Sequence, residues 1–269
     1  MSTNSEHKER IVSLKTPFVN FINGVFNDVN NWLSFHFRFL KEVFMPKYEV
    51  REFFNQAYLV GYKSFPLILI TGFIMGLVLT IQSRPTLAQF GAESWLPAMV
   101  AVSVIREIGP VITALIFAGK VGSGIGAELA SMKVTEQIDA MEVSGTNPFK
   151  YLIVTRVLAC TFMLPILTIL ADAVGLYGAF IGVNIKGDVS FHFYLLQVFD
   201  KLTFSDILPA IAKTFFFGFA VGIVGCFKGY NALKGTEGVG KAANEAVVAS
   251  SLIIFIMDMI AVQISTLFI

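Results

Sequence analysis

The chain has 269 residues, 55% of them hydrophobic and 14% charged, with a mean hydropathy of +0.71. So much apolar surface cannot be hidden in a water-soluble core of this size; the chain needs a bilayer as its solvent and is an integral membrane protein. A formal net charge of +1 argues against a nucleic-acid binder, whose affinity rests on an excess of basic residues.

The opening "MSTNSEHKER" is polar and leads into no compact apolar core with a small-residue cleavage site, so no cleaved signal peptide is expected. From Phe18 to Leu40 the residues Phe18, Phe21, Ile22, Val25, Val29, Trp32, Leu33 and Leu40 recur at helical spacing. Asn20, Asn23, Asn27, Asn30, Asn31, Ser34 and Arg38 share the other face. This predicts an amphipathic helix lying in the membrane interface within an N-terminal cytoplasmic region, residues 1–50.

Five apolar segments follow within a membrane domain covering residues 51–269: Tyr58–Gln82, Leu96–Gly119, Tyr151–Val183, Ile207–Tyr230 and Ala246–Ile269. Each is long enough to cross about 30 Å of hydrocarbon as a helix, and the alternation of a β-barrel is absent. The expected fold is thus all-α: an interfacial helix, five transmembrane helices and a short helix in one loop. Basic residues sort unevenly over the connections. Lys8, Arg10, Lys15, Arg38, Lys41, Lys47 and Arg51 precede the first span, Lys120, Lys133 and Lys150 lie between the second and third, and Lys228, Lys234 and Lys241 between the fourth and fifth. The other side has only Arg84, Lys186 and Lys201. The bias places the N-terminus in the cytoplasm and, with an odd number of spans, the C-terminus outside.

The loop between the second and third spans holds "GSGIGAELASMKVTEQIDAMEVSG", Gly122–Gly145, read as an acidic, unbroken helical segment. Val134, Ile138 and Met141 fall on one face of it, and Thr135, Glu136, Asp139 and Glu142 on or near another. An acidic face is repelled by anionic headgroups, so a protein partner explains it better than the membrane does; an ordinary solvated loop helix is the alternative. Gly119, Gly122, Gly124 and Gly126 permit either a sharp turn or a close helix approach, and "GTNP" at Gly145–Pro148 ends the helix.

Cys160 and Cys226 fall in apolar runs with no metal-ligand spacing and read as small buried residues. "GTEGVGKA", Gly235–Ala242, fits GxxxxGK, but Ala242 replaces the Ser or Thr that would bind magnesium and no strand precedes it, so nucleotide binding is not expected. His7, His36 and His192 are scattered and neither GxSxG nor HExxH occurs; no catalytic or metal-binding residues are assigned. Lys63, Arg106, Glu107, Asp172, Lys213 and Asp258 lie in or near the spans, where each ion costs about 2.5–3.5 kcal/mol at mid-bilayer. Such residues form buried pairs, snorkel from span ends, or serve function. Arg106, Glu107 and Asp258 are taken as functional; Lys63, Lys213 and Asp172 stay open.

These residues carry a resemblance. "REIGPVITALIFAGKVGSGIGAELASMKVTEQIDAMEVSGTNPFKYLI", Arg106–Ile153, is similar to the signature region of the MlaE (YrbE) permease family, the membrane subunits of ABC transporters that move phospholipids or other lipids between membranes. "FIMGLVLTIQ" at Phe73–Gln82, "EGVGKAANEAVVAS" at Glu237–Ser250 and the Asp258 region extend the likeness from about Arg51 to the C-terminus. Ala130 stands where the family commonly has Gly, and Lys120 where Arg is common.

The resemblance implies a permease of a Gram-negative inner membrane that moves phospholipid between the inner and outer membranes and maintains outer-membrane lipid asymmetry. It pairs with a second copy of itself, a separate ABC ATPase subunit that holds ATP and magnesium, and a periplasmic MCE-domain protein. This chain itself carries no cofactor. Glu128, Met132, Val134, Thr135, Glu136, Gln137, Asp139, Met141 and Glu142 would form the coupling region for the ATPase. Phe73, Gly76, Leu79, Gln82, Arg106 and Glu107 would line or brace a lipid cavity between the two permeases, with Asp258 as a further intramembrane polar residue. Two other readings are an ion-coupled secondary transporter of a lipid or amphiphile, which would usually need more spans and a repeat, and the same ABC architecture carrying a sterol or other hydrophobic substrate.

Overall fold

In the computed structural model the described residues are 26–46, 48–185, 187–233 and 235–267. They form two compact units, Met1–Pro46 and Lys47–Ile269. In the first, residues 26–44 form helix α1, with His36 Nδ1 2.8 Å from the Trp32 carbonyl and the two rings in contact at 4.4 Å. Phe35 and Phe39 are its buried residues, whereas Val29, Leu33 and Leu40, expected on the apolar face, are half exposed. The expected positions Phe18, Asn20, Phe21, Ile22, Asn23 and Val25 lie outside the described residues.

Among its described residues the second unit consists of helices joined by short turns, with no strand. Five helices are long and apolar enough to cross a membrane: α2 (Val50–Gln89), α3 (Glu93–Val134), α5 (Phe149–Asn184), α7 (Phe204–Tyr230) and α8 (Thr236–Leu267). Two short helices join them: α4 (Gln137–Val143) between α3 and α5, and α6 (Phe191–Lys201) between α5 and α7. The five expected spans are therefore all present, but the helices run past them. With 40 residues α2 is about 60 Å long, roughly twice the hydrocarbon thickness.

Small residues set the packing. Along α2, Gly72 and Gly76 meet Ala171 and Gly175 of α5, where a Cβ on Gly76 would overlap the Gly175 carbonyl oxygen. Gly178 of α5 lies equally close to the Phe73 backbone, and Thr80, one turn beyond Gly76, closes the row by donating to the Gly76 carbonyl at 2.8 Å. In a bilayer the hydrophobic effect does not drive helices together, so backbone approach of this kind supplies the dispersion contact instead. On its other side α5 packs on α7, and α3 is wedged among α5, α7 and α8. Gly122 and Gly126 make the α3 contacts to Val221 of α7 and to Ala242 and Ala246 of α8, while Gly119 and Gly124 face open space. The helix runs on through all four, so none of them makes a turn, and only Gly122 and Gly126 serve close approach.

The span α8 is the least covered, exposing Val248, Leu252, Phe255, Ile256, Met259 and Ile260. Helix α6 has no counterpart in the sequence reading. Ser190 caps it by accepting from the Phe193 N–H at 3.3 Å, and Tyr194 and Val198 are fully buried in a cluster with Leu96, Val100, Val104, Ala179 and Val183. The Tyr194 hydroxyl donates to the Leu176 carbonyl at 3.0 Å, and burial pushes its phenol well above the usual tyrosine range, keeping it a neutral donor.

Candidate functional site

The site is built on a defect in α3. Pro110 has no N–H to give the carbonyl of Arg106, and the backbone compensates by widening to π-type turns over Val104–Ile108, with Gly109 N–H bonded to the Val104 carbonyl. That turn carries Arg106 and Glu107. The adjacent side chains reach different partners, both on α7. Glu107 accepts from Lys213 at 2.6 Å, and Arg106 lies 3.4 Å from Asp206. Lys213 also donates to Asp258 of α8 at 2.9 Å, so one ammonium ties three helices together. It is 7% exposed, whereas Glu107 is 43% exposed at its side chain, which places the ammonium inside and one carboxylate at a cavity wall.

Asp206 sits in the first turn of α7, where it and Thr203 form a reciprocal cap: its carboxylate accepts from the Thr203 N–H at 2.9 Å and the hydroxyl at 2.7 Å. The Arg106 pair is thereby anchored at the helix start. Between Asp206 and Lys213, two turns apart, a cavity of about 570 Å³ opens between α3, α7 and α8. Its walls are mostly apolar, among them Leu208, Phe216, Val262 and Ile264, and the charged groups Arg106, Glu107, Asp206 and Lys213 also line it. Its volume falls within the range of pockets that bury small ligands. Counted with Asp258, which Lys213 also binds, these groups are two cations and three carboxylates, a sum of −1 when all are ionised.

Of the residues expected around a lipid cavity, the structure brings Arg106 and Glu107 to this one, and Asp258 joins them through Lys213. Phe73, Gly76, Leu79 and Gln82 are elsewhere. Gly76 is buried against α5, Phe73 has its ring 6.4 Å from Tyr177, Leu79 packs on the cluster that holds Tyr194, and Gln82 is exposed. Lys213 is the group that sequence reasoning left open; its place two turns after a Thr-x-x-Asp cap is a signal only once the partners are known. Lys63 is exposed.

At the far end of α3 the expectation of an unbroken helix is wrong. The helix ends at Val134, Glu136 adopts a left-handed conformation (φ 58°), and α4 starts afresh at Gln137. The Thr135 hydroxyl satisfies the Ser131 carbonyl at 2.8 Å, so the local side chain competes with helix continuation. At the other end of α4, Thr146 N–H bonds Met141 O and Gly145 N–H bonds Glu142 O, a Schellman closure with Gly145 at φ 81°. Ile138 is fully buried and Val134 and Met141 partly so, which pins α4 by one face. Thr135, Glu136, Gln137, Asp139 and Glu142 are exposed, with Asp139 3.5 Å from Lys133. Met132 is partly buried. Glu128, exposed at its side chain, binds the buried Arg156 at 2.8 Å, tying α3 to α5. The GTEGVGKA residues form the start of α8 from Thr236, so their N–H groups follow a helix and not a phosphate-cradling loop.

Residues 53–264 match the family model for "Permease MlaE". The chain is 37% identical over 224 residues to a probable ABC transporter permease protein of Rickettsia typhi, covering 83% of this chain and 86% of that one. It is 37% identical over 207 residues to the intermembrane phospholipid transport system permease protein MlaE of Haemophilus influenzae, covering 77% and 79%. A probable ABC transporter permease protein of a Synechocystis species is 37% identical over 208 residues, again with 77% and 79% covered.

Proposed function

This chain belongs to the MlaE permease family, and from that premise we propose that it is the membrane subunit of an ABC transporter that carries phospholipid between the inner and outer membranes of a Gram-negative cell, driven by ATP hydrolysis on a separate subunit. The observation that carries the substrate class is the cavity between α3, α7 and α8: an apolar volume with a guanidinium at one wall. Acyl chain would lie along Leu208, Phe216 and Val262, while Arg106, 35% exposed at its side chain, faces a phosphate with its planar fork. Asp206 holds that guanidinium in place until an anion competes for it. Lys213 is too enclosed by its two carboxylates to serve as the first headgroup contact, and its role is to hold α3, α7 and α8 in register.

Coupling runs through the other end of α3. The exposed acids Glu136, Asp139 and Glu142 on a rigidly closed helix form the surface that docks on the ATPase, and Glu128–Arg156 passes displacement of α3 to α5. The chain pairs with a second copy, a periplasmic MCE-domain protein completes the route, and this subunit binds no nucleotide of its own. Native mass spectrometry of lipid retained on the purified permease tests the headgroup assignment. Arg106→Ala should lose bound phospholipid and Arg106→Lys should regain part of it, since a point charge lacks the bidentate geometry. Unchanged lipid in Arg106→Ala removes the headgroup role.

A further inference from the structure

The three carboxylates around the cavity are not equivalent. Asp206 is saturated and little exposed: its Oδ2 accepts from the Thr203 N–H and hydroxyl, and its Oδ1 faces Arg106. Asp258 is bound by Lys213 and does not line the cavity. Glu107 does line it, and accepts from Lys213 at Oε2 alone, so among the described residues no hydrogen bond reaches its Oε1. A carboxylate oxygen in a mostly apolar cavity is best satisfied by a cationic donor.

The two cations differ in the complementary sense. Lys213 is enclosed between Glu107 and Asp258, whereas Arg106 is accessible and meets Asp206 through one of its nitrogens. A ligand in the cavity therefore finds one open guanidinium and one open carboxylate, carried by successive residues of the widened turn Val104–Ile108. Successive Cα atoms lie about 3.8 Å apart and their side chains diverge, so a headgroup with an anion and a cation a few bonds apart can meet both. Net charge favours the same ligand. With two cations and three carboxylates the cluster stands at −1, which a singly anionic headgroup would take to −2 and a zwitterion would leave unchanged.

We propose that Glu107 is an ammonium subsite, so that the cavity selects phosphodiester lipids whose headgroup carries an ammonium over those whose headgroup carries none: Arg106 takes the phosphate and Glu107 Oε1 accepts from the ammonium. The proposal rests on the reading of this cavity as a phospholipid site and adds to it a headgroup preference that Arg106 alone would not give.

The test is a competition. Purified full-length permease is offered detergent micelles containing equal amounts of phosphatidylethanolamine and phosphatidylglycerol with the same acyl chains, and the lipid retained is read by native mass spectrometry. Wild type should retain the ethanolamine lipid about tenfold over the glycerol lipid, which is about 1.4 kcal/mol and near the low end for a hydrogen bond to a charged group. Glu107→Gln, whose amide oxygen can still accept from Lys213, should retain the two about equally. Asp258→Asn removes the same unit of charge from a residue that does not line the cavity and should keep the preference, a comparison that decides the matter with the wild-type ratio even if Glu107→Gln does not fold. Equal retention by the wild type, a preference that survives in Glu107→Gln, or one that is lost in Asp258→Asn overturns the ammonium subsite and leaves phospholipid binding standing. Retention of neither lipid by the wild type overturns the phospholipid reading and the subsite with it.

Discussion

Replacing Lys213 by Met keeps the length and bulk of the side chain but removes the ammonium shared by three helices. Glu107 Oε2 and Asp258 Oδ1 lie 2.6 and 2.9 Å from the same nitrogen, so they are within 5.5 Å of each other. Two unit charges at that separation repel by about 3 kcal/mol at an effective dielectric of 20. Breaking a buried ion pair by removing one partner costs about 3–5 kcal/mol, a range that includes this repulsion. For a chain of this size each kcal/mol moves the melting temperature by about 2–4 °C, so Lys213→Met should melt roughly 10 °C below wild type in detergent, followed by circular dichroism. The triple variant Glu107→Gln, Lys213→Met, Asp258→Asn removes the orphaned charges and should recover most of that loss, since a neutral replacement of a buried ionic cluster is often close to neutral in stability. A single variant that melts with the wild type, or a triple variant no better than the single, would refute the claim that Lys213 holds the helices together through charge.

Reversing Glu136, Asp139 and Glu142 to Lys should abolish co-purification of the ATPase while leaving insertion and melting unchanged, because all three are exposed; retained ATPase binding would sink the docking assignment. Gly76→Val drives a branched side chain into the Gly175 backbone and should cost about 3 kcal/mol, the upper end of overpacking, measured as a melting shift. Gly124→Ala, which meets nothing, should leave the protein as stable or slightly more so, because Ala is the better helix former.

The spans were legible because hydropathy over about 20 residues is the strongest signal a membrane chain carries. The inward face around α4 was legible from Val134 at the end of α3 and from Ile138 and Met141 of α4. Four features were not. Helix α6 is short, and its core-facing Tyr194 and Val198 alternate with the exposed apolar residues Phe193, Leu196 and Phe199, so its period is blurred. The break at Glu136 falls on a non-glycine residue in a left-handed conformation, which no residue preference announces. The partners of Lys213 come from residues 106 and 45 positions away, and only tertiary packing of three helices brings them together. Gly72, Gly76 and Gly175 escaped for a related reason: a small-residue row has meaning only against the matching row on another helix.

The proposed function has ATP hydrolysis on a partner move phospholipid through this permease. Reconstituting the permease with its ATPase and MCE-domain partners in liposomes carrying a fluorescent phospholipid tests it most directly. Lipid transfer should require ATP and should fall in the Lys-substituted α4 variant and in Arg106→Ala. Transfer that proceeds without ATP on an imposed proton or sodium gradient, or ATP-driven movement of a sterol but not of phospholipid, would contradict it.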